Sequence, residues 1–161
     1  MKIARAVAIL AAAMTLAACG GSSGSTTTTS TTTTQAPQTQ NLSVTSAVRA
    51  SLLSAGANSH GLAVSDYTGL GAGETFYAYD PSTTTYYAAA RLVPSPKSYQ
   101  AQVSSQDDGG YNLFVRSASV PGWTVYDDGL GGAMGSTCPI VIPASVLAVW
   151  GWKANSCYPR G

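Results

Sequence analysis

Three kinds of hydrophobic patterning follow one another along this chain. Ala6 to Ala18 is an apolar run interrupted by one hydroxyl, Thr15, and preceded by Lys2 and Arg5. It is shorter than the roughly 20 apolar residues a membrane-spanning helix needs, and its basic flank is that of an export signal. Gly20 to Gln40 holds no large apolar side chain, only glycine, serine, long threonine runs and Gln35-Ala36-Pro37. Nothing there offsets the entropy of ordering, so the segment is expected to be a flexible tether. From Asn41 onward apolar residues recur with regular periods, and one small domain over 41–161 is expected.

Within that domain Val44, Ala47, Val48, Ser51, Leu52 and Ala55 fall at helical spacing. They predict a helix from Val44 to Ala55, with Ser43 as its cap, Leu42 as a staple before the cap and Gly56 as a left-handed stop. Gly56 to Gly73 reads as irregular and glycine-rich. Strand patterning then starts at Phe76–Tyr79, turns at Asp80-Pro81-Ser82-Thr83 and returns over Tyr86–Val93. Pro94 and Pro96 end that hairpin. Tyr99–Ser105 predicts a further strand, Gln106-Asp107-Asp108-Gly109-Gly110 a turn, Tyr111–Arg116 its partner and Trp123–Tyr126 a last strand closed by Asp127-Asp128-Gly129. Pro143 suits the first turn of a brief helix through Val149 or Trp150, stopped by Gly151. The fold class expected is α+β: an N-terminal helix packed on a four- to five-stranded antiparallel meander sheet, finished by a short C-terminal helix.

Alternation suggests which residues share a face. Tyr86, Ala88, Ala90 and Leu92 lie on one side of their strand, where the two alanines leave room for the first helix. Thr85, Tyr87, Ala89 and Arg91 point the other way, and Tyr77 and Tyr79 are expected to join Tyr87 there. Two readings of that second face stay open. It is an aromatic binding surface, formed by Tyr77, Tyr79, Tyr87 and Arg91, of the kind favoured at interfaces. Alternatively, the closing helix with Trp150 and Trp152 covers it, and the tyrosines are core.

At the end of the first apolar run stands Leu16-Ala17-Ala18-Cys19. The tetrapeptide resembles the lipobox of bacterial lipoproteins, in which the cysteine receives a diacylglycerol on sulfur and becomes the new N-terminus. The resemblance covers residues 1–19 alone. It implies a signal peptide over 1–18, lipidation of Cys19, a lipid-anchored tether over 19–40, and an exported domain held at the cell membrane or outer membrane. One acyl chain anchors marginally and two or more anchor stably, at about 0.8 kcal/mol per buried methylene. With Cys19 committed to lipid, Cys138 and Cys157 remain as a pair in an oxidising compartment, and a disulfide stapling the closing helix is expected.

Composition narrows the function classes. Charged residues are 9% of the 161, against about 25% in ordinary domains. Six basic residues beyond the signal face seven acidic ones, and they form no cluster that would track phosphates, so nucleic acid is not an expected partner. The only histidine, His60, sits in Ser59-His60-Gly61. That triplet invites comparison with L,D-transpeptidases, but Leu62 stands where that family has its nucleophilic cysteine, and no Gly-x-Ser-x-Gly turn is present. The two Asp-Asp pairs precede glycine at predicted turns, which explains them without a calcium or glycosidase site. No motif asks for a metal or cofactor. The expected function is non-catalytic binding at the cell envelope, to a cell-wall polymer or an envelope protein. The alternatives are a tethered inhibitor of an envelope hydrolase and a small hydrolase using His60.

Overall fold

The computed structural model describes residues 36–107, 111–126 and 138–159. The expected signal segment, Cys19, most of the expected tether, and residues 108–110 and 127–129 of the two expected Asp-Asp-Gly turns lie outside the described residues, while Gln106 and Asp107, expected in the first of those turns, end helix α2. The chain is an α+β domain. Strands β1 (Gln40–Asn41), β2 (Tyr67–Asp80), β3 (Thr85–Pro94), β4 (Tyr111–Ser117) and β5 (Thr124–Tyr126) form one antiparallel sheet in chain order, accompanied by helices α1 (Ser46–Ser59), α2 (Tyr99–Asp107) and α3 (Ala144–Trp150). No helix among the described residues is long and apolar enough to cross a membrane.

Both faces of the sheet are covered, and the central strand shows why. Ala88, Ala89 and Ala90 of β3 are all buried, and the cross-strand partners of the first two are large: Tyr77 and Phe114 flank Ala88, and Phe76 and Leu113 flank Ala89. Small residues in the middle strand leave space above and below, and large ones on its neighbours fill it. On one face Leu52 and Ala57 of α1 and Ala101 of α2 meet Tyr77, Leu92 and Phe114. On the other, Val146, Leu147 and Trp150 of α3, with Trp152 and Cys157, meet Ala78, Ala89 and Leu113. Cys138 and Cys157 are joined by a disulfide, their Cα atoms 5.5 Å apart.

Four expectations need correction. The first helix begins later than Val44, because the preceding chain still belongs to the sheet. Gln40, placed in the tether by its composition, pairs with Tyr79, and the Leu42 amide donates to the Tyr77 carbonyl at 2.8 Å. The cap is therefore Thr45, whose hydroxyl accepts from the Val48 amide at 3.3 Å, rather than Ser43.

Gly56 does not stop the helix. It is buried inside α1, and a Cβ there would stand 2.8 Å from Leu92 Cδ2. Its role is close approach of helix to sheet, and this turns the buried stripe of α1 toward Leu52, Gly56 and Ala57.

The stretch read as irregular before Gly73 is largely strand. After a 3₁₀ turn at Val64–Asp66, β2 starts at Tyr67. Its glycines serve a bulge, for the register with β3 shifts between Leu70 and Thr75, with Gly73 at φ +69°. The Leu70 carbonyl is met by Arg49 of α1, whose Nη2 donates at 2.8 Å.

Tyr99–Ser105 is helix α2 instead of a strand. Ser98 Oγ accepts from the Ala101 amide at 3.3 Å, and the Gln102 side chain donates to the Ser95 and Ser98 carbonyls, so the first turn is capped by its own sequence. Among its described side chains only Ala101 is fully buried, and Tyr99 is 79% exposed.

Candidate functional site

The pairing register separates the residues expected to form one aromatic surface. Tyr77 lies opposite Ala88 and Tyr79 opposite Tyr86, whereas Tyr87 lies opposite Ala78. Residues opposite one another in an antiparallel pair share a face, so Tyr77 and Tyr79 belong with Tyr86 on the α1 side, and Tyr87 belongs to the α3 side. Tyr87 is half-buried against the α3 cluster. That face is closed by aromatic packing: Phe76 stands 5.1 Å from Trp152 and 6.0 Å from Trp150, ring centre to ring centre. The covering of this face by the closing helix is thus the arrangement observed. Burial pushes the Tyr87 hydroxyl above the usual phenol range. Arg91 stands apart from these rings. Its side chain is 55% exposed and pairs with Glu74 at 3.6 Å beside the β2 bulge, a surface ion pair of small energetic weight.

The α1 side holds a different aromatic arrangement, which includes Arg116 and Trp123, neither of them singled out from sequence as a site residue. Tyr79 and Tyr86 have ring centres 4.7 Å apart, and Tyr77 stacks on Tyr86 at 5.7 Å. The Arg116 guanidinium continues this column, 4.6 Å from the Tyr86 ring centre and 4.9 Å from that of Trp123. Cation–π contacts of this kind contribute about 0.5–2 kcal/mol each, depending on desolvation. Tyr77 is 8% exposed. Burial raises its pKa, an effect that the neighbouring Arg116 charge partly offsets. Phe114 and Tyr77 both meet Trp123 in near-perpendicular ring contacts, and the Trp123 indole N–H donates to Ser51 Oγ at 2.9 Å.

These contacts fix Trp123 as one wall of a groove of about 550 Å³ between α1 and β5. Gly122, at φ +98°, makes the turn that delivers the indole, and Val125 continues the wall. Facing them on α1 are Ser51, Ser54 and Asn58. Their spacing of three and then four residues puts them on one face of the helix. The groove is lined by no ionisable side chain among the described residues. The serine and asparagine spacing was visible in the sequence, but only the arrival of Trp123 opposite it marks a site.

His60 follows α1, and its Nδ1 lies 2.9 Å from Ser104 Oγ on α2, with the Tyr67 ring centre 6.3 Å away. The contact ties the end of α1 to α2 and brings a hydroxyl against an imidazole. Among the described residues no three His, Cys, Asp or Glu side chains gather as metal ligands would. No known family model, curated protein or solved structure matches this chain.

Proposed function

We propose that this protein is an exported lipoprotein, anchored through a diacylglycerol on Cys19, whose domain binds an envelope component without catalysing a reaction. The address rests on Lys2, Arg5, the apolar run and Leu16-Ala17-Ala18-Cys19. The binding role rests chiefly on the α1–β5 groove, where a helix wall of hydroxyls and an amide faces an immobilised indole. Tyr79 and Tyr86 extend the same face beyond Trp123, whereas Tyr87 and Arg91 contribute nothing to it. A tether of this length would hold the domain on the order of 25 Å from the bilayer. The test has two arms. Cys19→Ser should move the protein from the membrane fraction to the soluble exported fraction, and Ser54→Trp, which fills the groove, should abolish retention of the envelope component while leaving membrane attachment intact.

One contact supports a second reading, a small hydrolase. The Ser104 hydroxyl could pass its proton to His60 Nδ1 as its oxygen adds to an ester carbonyl, because the two atoms already stand at hydrogen-bonding distance. The imidazolium would return that proton to the departing alcohol as the ester C–O bond breaks, and water would later release the acyl group from the serine. Labelling by a fluorophosphonate probe that is lost in Ser104→Ala would favour it. Absence of labelling would leave the contact as a tie between α1 and α2.

A further inference from the structure

We infer that the α1–β5 groove takes a neutral saccharide of the envelope, an inference that rests on reading the domain as a binding module acting through this groove. Charge decides the class first. Among the described residues no ionisable side chain lines the groove, and the nearby Arg116 guanidinium is taken up over the Tyr86 and Trp123 rings. An anionic polymer or a basic peptide would therefore find no counter-charge among these lining residues, and burying its charge unpaired would be costly. An uncharged ligand loses nothing on that account.

Shape and polarity decide the rest. A sugar ring has an apolar C–H face and a rim of hydroxyls, and the groove has one wall for each. Ser51, Ser54 and Asn58 set hydroxyls and an amide in a row along α1, each able both to donate and to accept. Trp123, its N–H edge turned to Ser51, supplies apolar ring surface, and Val125 extends it. The indole is held before any ligand arrives, by Ser51 at its N–H, by Arg116 at 4.9 Å, and by near-perpendicular contacts with Phe114 and Tyr77. Little side-chain entropy is therefore lost on binding. The volume of about 550 Å³ falls within the roughly 300–1,000 Å³ of ligand sites and exceeds what a single ring occupies, which points to an oligosaccharide segment.

The full lipidated protein in detergent micelles would be titrated with an N-acetylglucosamine trimer and, separately, with maltotriose, following tryptophan emission and saturation transfer to the sugar protons. Saturable binding of either trisaccharide is expected, weakened about tenfold in Asn58→Ala and abolished in Ser54→Trp, as loss of a central contact and blockage require. Both positions are exposed on α1, and thermal unfolding would establish that both variants fold. No binding of either sugar at millimolar concentration, or equal binding by Ser54→Trp, would overturn the inference. Retention of an isolated envelope fraction separates this from the broader reading. If Ser54→Trp loses a component that the unmodified protein holds, while neither trisaccharide binds, the groove stands as the site and the saccharide falls. If retention does not depend on Ser54, both fall.

Discussion

The Trp123 indole N–H donates to Ser51 Oγ across 72 residues of sequence, at 2.9 Å, and through it the loop before β5 is tied to the exposed side of α1. The bond lies at the surface, where water can replace either partner. Ser51→Ala is therefore expected to lower stability by less than about 1.5 kcal/mol while changing tryptophan emission, since the indole loses its fixed acceptor. Chemical denaturation and emission spectra on one preparation would check both halves.

Gly56 carries the approach of α1 to the sheet. Its missing side chain leaves room for Leu92, whose two methyls would lie 2.8 and 3.0 Å from an added Cβ, and Leu92 is itself fully buried. Gly56→Val should lower stability by about 1–3 kcal/mol through overpacking, read as a lower denaturation midpoint. An unchanged midpoint would mean that α1 can withdraw from the sheet without loss.

Asn112 is a polar group inside the same interface. It is fully buried, and neither Oδ1 nor Nδ2 meets a hydrogen-bonding partner. Replacing an unsatisfied buried amide by a hydrocarbon of similar size removes a desolvation penalty of about 1–3 kcal/mol. Asn112→Leu is expected to raise the thermal midpoint, and an unchanged or lower midpoint would mean that the amide is not an unsatisfied group in the folded protein.

Reduction of the Cys138–Cys157 bond should weaken the α3 side selectively. For a bridge spanning 19 positions, the chain-entropy account gives about 3 kcal/mol. Adding a reductant, or substituting both cysteines by serine, should lower the unfolding free energy by that order. Hydrogen exchange should rise first in α3 and around Trp152, with the α1 side following only at global unfolding.

Acid sensitivity should trace to Asp80. Burial alone would raise its pKa, but the Ser82 hydroxyl and amide and the Thr83 and Thr39 hydroxyls donate to the carboxylate and together hold it below the usual range. A carboxyl with a depressed folded pKa contributes stability that is present above its unfolded value, about 3.9, and is lost as pH falls through the folded one. The stability difference between the natural protein and Asp80→Asn should therefore be constant above about pH 5 and shrink below pH 4. Denaturation curves over pH 2–7 would show a pH-independent difference if the hairpin turn does not depend on the charge.

The candidate site was only partly legible. Trp123 could be placed at the start of a strand, and Ser51, Ser54 and Asn58 on one helix, but their meeting depends on β5 closing the sheet next to α1. Tyr77, Tyr79 and Tyr87 looked alike from alternation within each strand. Their division between faces follows from which residue of β3 stands opposite which residue of β2, a quantity set by the Asp80–Thr84 turn and invisible to either strand alone.

What the sequence determined by itself was local: the turn at Asp80-Pro81, the alternation through Ala88 and Leu92, and the brief helix between Pro143 and Gly151. Each follows from backbone restrictions or periodicity within a few residues. Tertiary structure alone decided that Gly56 continues a helix, that Tyr99–Asp107 is helical, that the glycines after Gly69 form a bulge and that Trp123 faces Ser51. The physical reason is common to all four. A glycine, a weakly patterned polar stretch or a lone tryptophan has nearly equal local alternatives, and contacts with residues distant in the chain select among them.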